Sequence, residues 1–186
     1  MSTKFKNIHI PIDTTLKTKR MILRYPKVHD AEKIFASIQS PKFPEQLPLK
    51  EMAALSEIET WIKALQENWH KNRVFSWVME AQKTGGLLGQ VTLAKKEEND
   101  VWALAFWTDP EKWGAGYATE GAERITRFGF DDLGAKKIWA GAGVWNKGSC
   151  RVLEKLGMKY ICNNPKGYYA KGKAIETREY EISVVA

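Results

Sequence analysis

Cysteine and histidine are scarce in this chain. Only Cys150 and Cys162 occur among its 186 residues, which is too few for a disulfide scaffold and lacks the spacing of a metal-binding pair. The three histidines, His9, His29 and His70, are scattered and form no ligand set with the cysteines. The sequence therefore predicts neither a disulfide-rich secreted domain nor a metal site, and it favours a reducing, cytoplasmic setting.

Long apolar runs are also missing. No stretch reaches the length of a membrane-spanning helix, and the polar residues 1–7 contain no signal-peptide core. Internal repeats, low-complexity tracts and linkers are lacking as well. The apolar content of 44% and the charged content of 27% are typical of a globular protein. We therefore expect a single domain over residues 1–186, long enough to bury a sizeable core.

Acidic residues are fewer than basic ones in the sequence, with 22 Asp and Glu against 29 Lys and Arg. The formal net charge of +7 is consistent with an anionic partner such as nucleic acid, an anionic surface or a polyphosphate cofactor. The basic residues are spread along the chain rather than gathered in one run, which disfavours a nucleic-acid-binding tail. A basic surface without a specific partner is the alternative.

Hydrophobic periodicity predicts a mixed α/β (α+β) chain with about seven strands and about four helices. The predicted strands are residues 21–25, 75–81, 87–93, 101–108, 137–144, 158–162 and 180–184. The predicted helices are residues 30–39, 55–69, the segment after Gly116, and 146–156. Pro41, Pro44 and Pro48 place a loop between the first two helices. A loop and helix inserted in this way often cover a binding cleft.

The most informative run, residues 109–120, reads DPEKWGAGYATE and leads from a strand into a helix. Gly114 and Gly116 let the chain bend there and let a phosphate approach the main chain without meeting a Cβ atom. The first N–H groups of the helix have no intrahelical partner and lie at the positive end of its dipole. Because Thr119 replaces the third glycine of GxGxxG and no GK[ST] follows, the run is neither a Rossmann fingerprint nor a P-loop. A tight connection without a ligand is the alternative.

A second motif, residues 144–158, reads VWNKGSCRVLEKLGM. With WGAGYATE at 113–120, TKRMILR at 18–24 and DAE at 30–32, it resembles the GNAT N-acetyltransferases, and within them the branch named after RimJ and RimL. The resemblance covers residues 18–185 and implies a GNAT fold, acetyl-CoA as cosubstrate and no metal. It also implies direct acetyl transfer, in a ternary complex, to a primary amine of a protein N-terminus or a small molecule. We expect a monomer or homodimer without membrane attachment, and nucleic acid is disfavoured as a partner.

The resemblance further implies which residues bind the cosubstrate. The backbone of residues 114–118, which we call the glycine turn, would cradle the pyrophosphate. The end of the preceding strand would run beside the pantetheine arm, and the start of the predicted helix 146–156 would contact the cosubstrate. Ser149 would donate its hydroxyl hydrogen to the departing thiolate. The implied set is Phe106, Trp107, Thr108, Trp113, Gly114, Ala115, Gly116, Tyr117, Ala118, Asn146, Ser149 and Arg151. A plain helix cap is the alternative role for Asn146, and a local helix-start hydrogen bond is the alternative for Ser149.

Two positions depart from the family pattern. Glu111 stands where the phosphate turn often begins with Gln or Arg, and Ala103 stands near the place of a glutamate that acts as base in many relatives. The identity of the general base is therefore open. No side-chain base is needed if the acceptor amine is already neutral or if a water relay removes its proton. The candidates are Glu80, Glu120, Glu176 and Glu179. Cys150 is interpreted as a small packed helix residue because no activating histidine lies near it in the sequence.

Two alternatives to an active acetyltransferase stay open. The missing glutamate at Ala103 is compatible with a CoA-binding protein that has weak turnover or none. The positive charge is compatible with a ribosome-associated or nucleic-acid-associated binding protein, whose binding would fall steeply with salt. Neither alternative explains the two motifs as well.

Overall fold

Eight strands form one mixed sheet in the computed structural model, which describes residues 9–98 and 100–184. The strands are β1 (Leu16–Lys17), β2 (Met21–Arg24), β3 (Val74–Ala81), β4 (Leu87–Lys95), β5 (Val101–Thr108), β6 (Lys137–Gly143), β7 (Lys159–Ala170) and β8 (Lys173–Ser183). The α-helices are α1 (Ala31–Gln39), α2 (Leu55–His70), α3 (Tyr117–Asp131) and α4 (Lys147–Lys155). None of the helices in the described residues combines the length and the apolar character that crossing a bilayer requires.

The strand order is β1-β2-β3-β4-β5-β6-β8-β7, and neighbouring strands are antiparallel except for the parallel pair β5 and β6. Helix α3 makes the crossover between these two strands and, with α4, packs on one face of the sheet. Helices α1 and α2 pack mainly on the other face, which we call the α1/α2 face. Side chains alternate between the faces, so that Trp102 and Leu104 of β5 pack toward α3 while Trp107 packs toward α1.

The parallel pairing of β5 with β6 is short, so the sheet has a gap between these two strands. β5 pairs with β6 over only three residues, 101–103. Farther along, β5 stays paired with β4 as far as Thr108, and β6 stays paired with β8 as far as Gly143. No strand pairing joins residues 104–108 to residues 140–143 in the part of the chain that the structure describes, so the two strands diverge. We call the gap between these two segments the slot.

A buried ion pair attaches α1 to the sheet. Asp30, which is 2% exposed, accepts hydrogen bonds from both terminal nitrogens of Arg24 at 2.9 and 2.7 Å. It also accepts the N–H of Lys27 at 2.8 Å, while Nε of Arg24 donates to Glu80 at 2.7 Å. Burial alone would raise the pKa of Asp30, but the hydrogen bonds from Arg24 and Lys27 outweigh it and hold that pKa below its usual value.

The GNAT fold and the order of the predicted elements are confirmed, with one added strand and one correction to strand length. The two-residue strand β1 is new, and it pairs with β2. The predicted short strands 158–162 and 180–184 are instead parts of a long hairpin, β7 and β8. The polar segment 1–7 and residue 185, the end of the predicted motif-bearing core, lie outside the described residues.

Candidate active site

Local capping shapes the turn between β5 and α3. The carboxylate of Asp109 accepts the N–H of Glu111 at 2.9 Å and starts the short 3-10 helix Pro110–Lys112. Gly114 and Gly116 then adopt φ angles of 77° and 81°, in the left-handed region that favours glycine. Gly116 is the N-cap residue of α3, and no side chain caps the helix there. The first N–H groups of α3 are therefore available to an anion at the positive end of the helix dipole.

A clamp from the turn between β1 and β2 holds this loop. Nε of Arg20 donates to a carboxylate oxygen of Glu120 at 2.6 Å, and Nη1 donates to the carbonyl oxygen of Ala115 at 2.8 Å. The guanidinium carbon lies 4.3 Å from the centre of the Tyr117 ring. Thr18 donates its hydroxyl to the other oxygen of Glu120 at 2.6 Å. The Arg20 clamp thus ties the main chain between the two glycines to the first turn of α3.

Replacing Arg20 with alanine is expected to weaken the binding of acetyl-CoA, the cosubstrate that the resemblance implies, about tenfold, which corresponds to ~1.4 kcal/mol. The turn loses the contact that holds the Ala115 carbonyl, so its N–H groups are less well oriented. Isothermal titration calorimetry measures the change. Arg127→Ala is the matched control, because Arg127 pairs with Glu123 on the exposed side of α3. Equal affinity in both variants would contradict a positioning role for Arg20.

A pocket of about 700 Å³ joins the glycine turn, the end of β5 next to the slot, and the start of α4. The residues predicted to bind the cosubstrate all line it except Ala115, whose carbonyl is turned to Arg20 instead. The basic residues around it are Lys42, Lys112, Lys147, Arg151 and Lys155. The pocket therefore combines free helix N–H groups with positive charge, as a polyphosphate ligand requires.

The start of α4 carries the second motif. The side-chain oxygen of Asn146 accepts the N–H of Ser149 at 3.0 Å, so Asn146 caps the helix as one of its two predicted roles requires. Ser149 is half-buried and lines the pocket. Cys150, the next residue, is 5% exposed and belongs to the core, in agreement with the interpretation of a packed helix residue. The Ser149 hydroxyl is therefore a neutral side-chain donor that α4 offers to the pocket, beside the basic side chains of the same helix.

Residues 20–159 match the family described as the acetyltransferase (GNAT) domain, a segment that spans the glycine turn, the slot and α4. The chain is a GNAT acetyltransferase. It is therefore an acetyl-CoA-dependent N-acetyltransferase, as the two motifs predicted. In the described part of the chain, His, Cys, Asp and Glu side chains form no group of three or more that could hold a metal ion.

The relatives of this acetyltransferase agree with that assignment. An uncharacterized N-acetyltransferase of Bacillus subtilis, YoaA, is 28% identical over 170 residues, which cover 90% of this chain and 95% of the relative. RimJ of Mycobacterium smegmatis superposes with a TM-score of 0.82 at 17% identity, over 92% of this chain and 88% of that one. The ribosomal-protein-S5-alanine acetyltransferase of Vibrio fischeri gives 0.80 at 18% identity, over 92% and 97%. The two solved structures share the fold of this chain, in agreement with the predicted GNAT fold.

One wall of the pocket was not assigned from the sequence. It comes from the connection between α1 and α2 and consists of Lys42, Phe43, Pro44 and Leu47. The proline-rich loop was the signal that pointed to it. Trp113, which is 49% exposed, donates its indole N–H to the carbonyl of Thr108 at 3.0 Å and so stands at the rim. Trp107 and Trp145 also line the pocket.

Three of the four candidate bases are engaged in polar contacts on the protein surface or in ion pairs. Glu80 pairs with Arg24, and Glu176 accepts the amide of Asn163 at 2.8 Å on an exposed part of the hairpin. Burial alone would raise the pKa of Glu120, but hydrogen bonds from Thr18 and Arg20 hold it below its usual value.

Glu179 differs from these three. It lies on β8, is 5% exposed, and one of its two carboxylate oxygens has no hydrogen-bond partner among the described residues.

Proposed function

We propose that this acetyltransferase binds acetyl-CoA with the pyrophosphate at the glycine turn and the pantetheine arm in the slot. The observation that carries the proposal is the continuity of the pocket, which connects the uncapped start of α3 to the diverging strand β5. Along residues 104–108, the backbone groups that point away from β4 would pair with the amides of the pantetheine arm, as a strand partner would. The acetyl group would then be transferred directly to a primary amine of a protein N-terminus or a small molecule.

Each part of the chain contributes one element of this chemistry. The bound cosubstrate supplies an activated thioester. A free backbone N–H at the divergent end of β5 would stabilise the negative oxygen that develops on the carbonyl. The Ser149 hydroxyl would donate its hydrogen to the departing sulfur. Both cysteines are free thiols in the described structure, which supports operation in a reducing cytoplasm.

The proposal is tested in two stages with the unmodified protein. Calorimetric titration with acetyl-CoA should give saturable binding, and a thiol-release assay should then detect CoA production with members of a panel of peptides and small amines. Binding without turnover on any acceptor would favour a CoA-binding protein. A lack of binding would overturn the assignment of the pocket.

Replacing Ser149 with alanine is expected to lower kcat about 10- to 100-fold, because one hydrogen bond to a charged leaving group is worth about 1.5–3 kcal/mol. Acetyl-CoA affinity should change less than about twofold, since the hydrogen bond strengthens only as charge develops on sulfur. Steady-state kinetics and calorimetry separate the two quantities. Ser149→Thr, which keeps the hydroxyl, should retain most of the rate, and an equal loss in both variants would indicate a packing role instead.

A further inference from the structure

Small residues border the slot on the α1/α2 face of the sheet. Ala103 and Ala105 of β5 share this face with Trp107, and Gly141 and Gly143 of β6 share it with Trp139. No bulky side chain of β5 or β6 therefore covers the slot between the two tryptophans. A reacting group in the slot would be reached from this face.

Several buried polar atoms without partners lie on the same face. Seven buried side-chain atoms lack a hydrogen-bond partner among the described residues, and three of them, Oε1 of Gln90, Nε1 of Trp107 and Oε2 of Glu179, belong to residues on the α1/α2 face of the sheet. Nε1 of Trp145 and the hydroxyl of Tyr168 are also among the seven, and these two side chains adjoin each other. Buried polar groups in folded proteins are almost always paired, so such a set indicates a place built for a polar ligand.

Glu179 supplies the charge in this set. It stands opposite Gly141 on the neighbouring strand, and a Cβ atom built on Gly141 would lie 3.4 Å from both of its carboxylate oxygens. Because Gly141 has no side chain, nothing from this residue of β6 stands between the carboxylate and the strand that borders the slot. Thr177 donates its hydroxyl to Oε1, and no Lys, Arg or His of residues 9–98 and 100–184 forms an ion pair with the group.

Two tryptophan rings lie over the glycines of β6 on this face. The ring of Trp139 would lie 3.3 Å from a Cβ atom on Gly141, and the indole nitrogen of Trp145 would lie 2.4 Å from one on Gly143. Trp145 also lines the cosubstrate pocket, so this region and the pocket adjoin at this residue. Burial raises the pKa of the Tyr168 hydroxyl, and the adjacent Trp145 indole partly offsets the rise. Tyr168 is thus a neutral hydroxyl here.

We propose that the carboxylate of Glu179 receives the ammonium group of the acceptor across Gly141 and takes a proton from it. A carboxylate that is nearly buried and has no ion-pair partner is stabilised by a cation that binds beside it. A primary ammonium also suits an indole face in this region, since the Lys96 ammonium lies 3.9 Å from the centre of the Trp139 ring. The acceptor is therefore a primary amine that arrives protonated. The inference rests on the proposed function, because it places the thioester in the slot.

The proton and electron balance is complete with these groups. The acceptor R–NH3+ transfers one proton to Oε2 of Glu179, and the freed nitrogen lone pair forms a bond to the thioester carbonyl carbon. The C–S bond then breaks, and its electron pair leaves with sulfur. A second proton from nitrogen reaches the sulfur, for which the Ser149 hydroxyl is the proposed donor and relay. The products are the amide, the CoA thiol and a protonated carboxyl that returns its proton to water.

The test compares two acceptors of similar size, ethylamine and 2,2,2-trifluoroethylamine, at neutral pH. The first is protonated there, and the second is mostly neutral because fluorine withdraws electrons from its nitrogen. Glu179→Gln should reduce kcat/KM for ethylamine by about 100-fold or more, the usual contribution of a general base. The loss with trifluoroethylamine should be less than about tenfold, because that amine needs no proton removal before attack. Acetyl-CoA affinity should stay within about threefold of the unmodified protein.

Two further variants separate chemistry from folding. Gly141→Ala introduces a methyl group between the slot and the carboxylate while leaving Glu179 in place, and it should reproduce the selective loss with ethylamine. Glu181→Gln is the matched control, since Glu181 lies on the same strand and face but pairs with Lys137 at 2.8 Å. Equal rate losses for the two acceptors in Glu179→Gln, or an ethylamine rate within about threefold of the unmodified protein, would overturn the inference.

Failure of the proposed function has a different signature. If the unmodified protein does not bind acetyl-CoA, the slot assignment falls, and the inference falls with it. If it binds acetyl-CoA but acetylates neither amine, calorimetric titration of the CoA complex with ethylammonium decides. Binding that Glu179→Gln abolishes would then support the carboxylate as the ammonium site, and binding unchanged in the variant would overturn it.

Discussion

Replacing Gly116 with valine is expected to weaken acetyl-CoA binding by about 100-fold, which corresponds to ~2.7 kcal/mol. Gly116 has a φ angle of 81° and starts the helix whose free N–H groups face the pocket. A β-branched residue is strained at this angle, and its Cβ atom would lie 3.5 Å from a terminal nitrogen of Arg20. The glycine turn must therefore change conformation, and the N–H groups at the start of α3 no longer point together at the phosphates. Calorimetric titration gives the loss directly.

Gly134→Val is the matched control for that experiment. Gly134 follows α3 at its other end, has a φ angle of 66°, and a Cβ atom there would meet nothing within 4 Å. Both variants should lose a similar free energy of unfolding from backbone strain, about 1–3 kcal/mol. Only Gly116→Val should lose affinity. Equal affinities in the two variants would show that the glycine turn does not bind the phosphates.

Asp30→Asn is expected to lower the free energy of unfolding by about 3–5 kcal/mol at neutral pH, because it leaves Arg24 partly buried without its main partner. Asp30 receives two hydrogen bonds from Arg24 and one from the main chain of Lys27. The amide can replace neither the charge nor the paired geometry. Urea unfolding monitored by circular dichroism measures the difference between the two proteins. Glu123→Gln, which breaks an exposed pair with Arg127, is the control and should cause no measurable change.

The pH dependence of the Asp30 contribution has a definite sign. The folded-state pKa of Asp30 is lowered from an ordinary value of 3.8, so the unfolded chain binds the proton more readily than the folded one. The stabilisation is therefore fully present above that ordinary value and is lost as the pH falls through the lowered pKa. The difference in unfolding free energy between the unmodified protein and Asp30→Asn should shrink over this acidic range. A difference that stays constant would show that the ionised carboxylate is not its source.

Local signals were sufficient to predict most of the fold and half of the site. Apolar spacing located the four helices and the central strands, since packing on a sheet or helix face imposes that spacing. The two turn glycines, Gly114 and Gly116, and the cap residue Asn146 are local features, because the conformations they support involve only neighbouring residues. The predicted cosubstrate residues consequently meet around one pocket, although their individual roles stay predictions.

Features that depend on distant residues were not predictable in this way. Pro165 and Gly167 suggest a loop, yet they lie within β7 beside a register shift, where Gly167 makes room for Thr177 of β8. Arg20 contacts Glu120 across 100 residues of sequence. The position of Glu179 opposite Gly141 likewise depends on the pairing of β8 with β6. A single sequence carries no record of such pairings.

The slot also divides the sheet mechanically. Strands β1–β5 and β6–β8 are joined by only three residue pairs, between β5 and β6. The sheet should therefore deform most easily along this boundary. A pantetheine arm lying in it would add the hydrogen bonds that the strands do not make with one another. The cosubstrate would then be part of the fold, and at 100 times its Kd it would raise the unfolding free energy by about 2.7 kcal/mol. The lifetime of the folded enzyme in a cell would thereby follow the supply of acetyl-CoA.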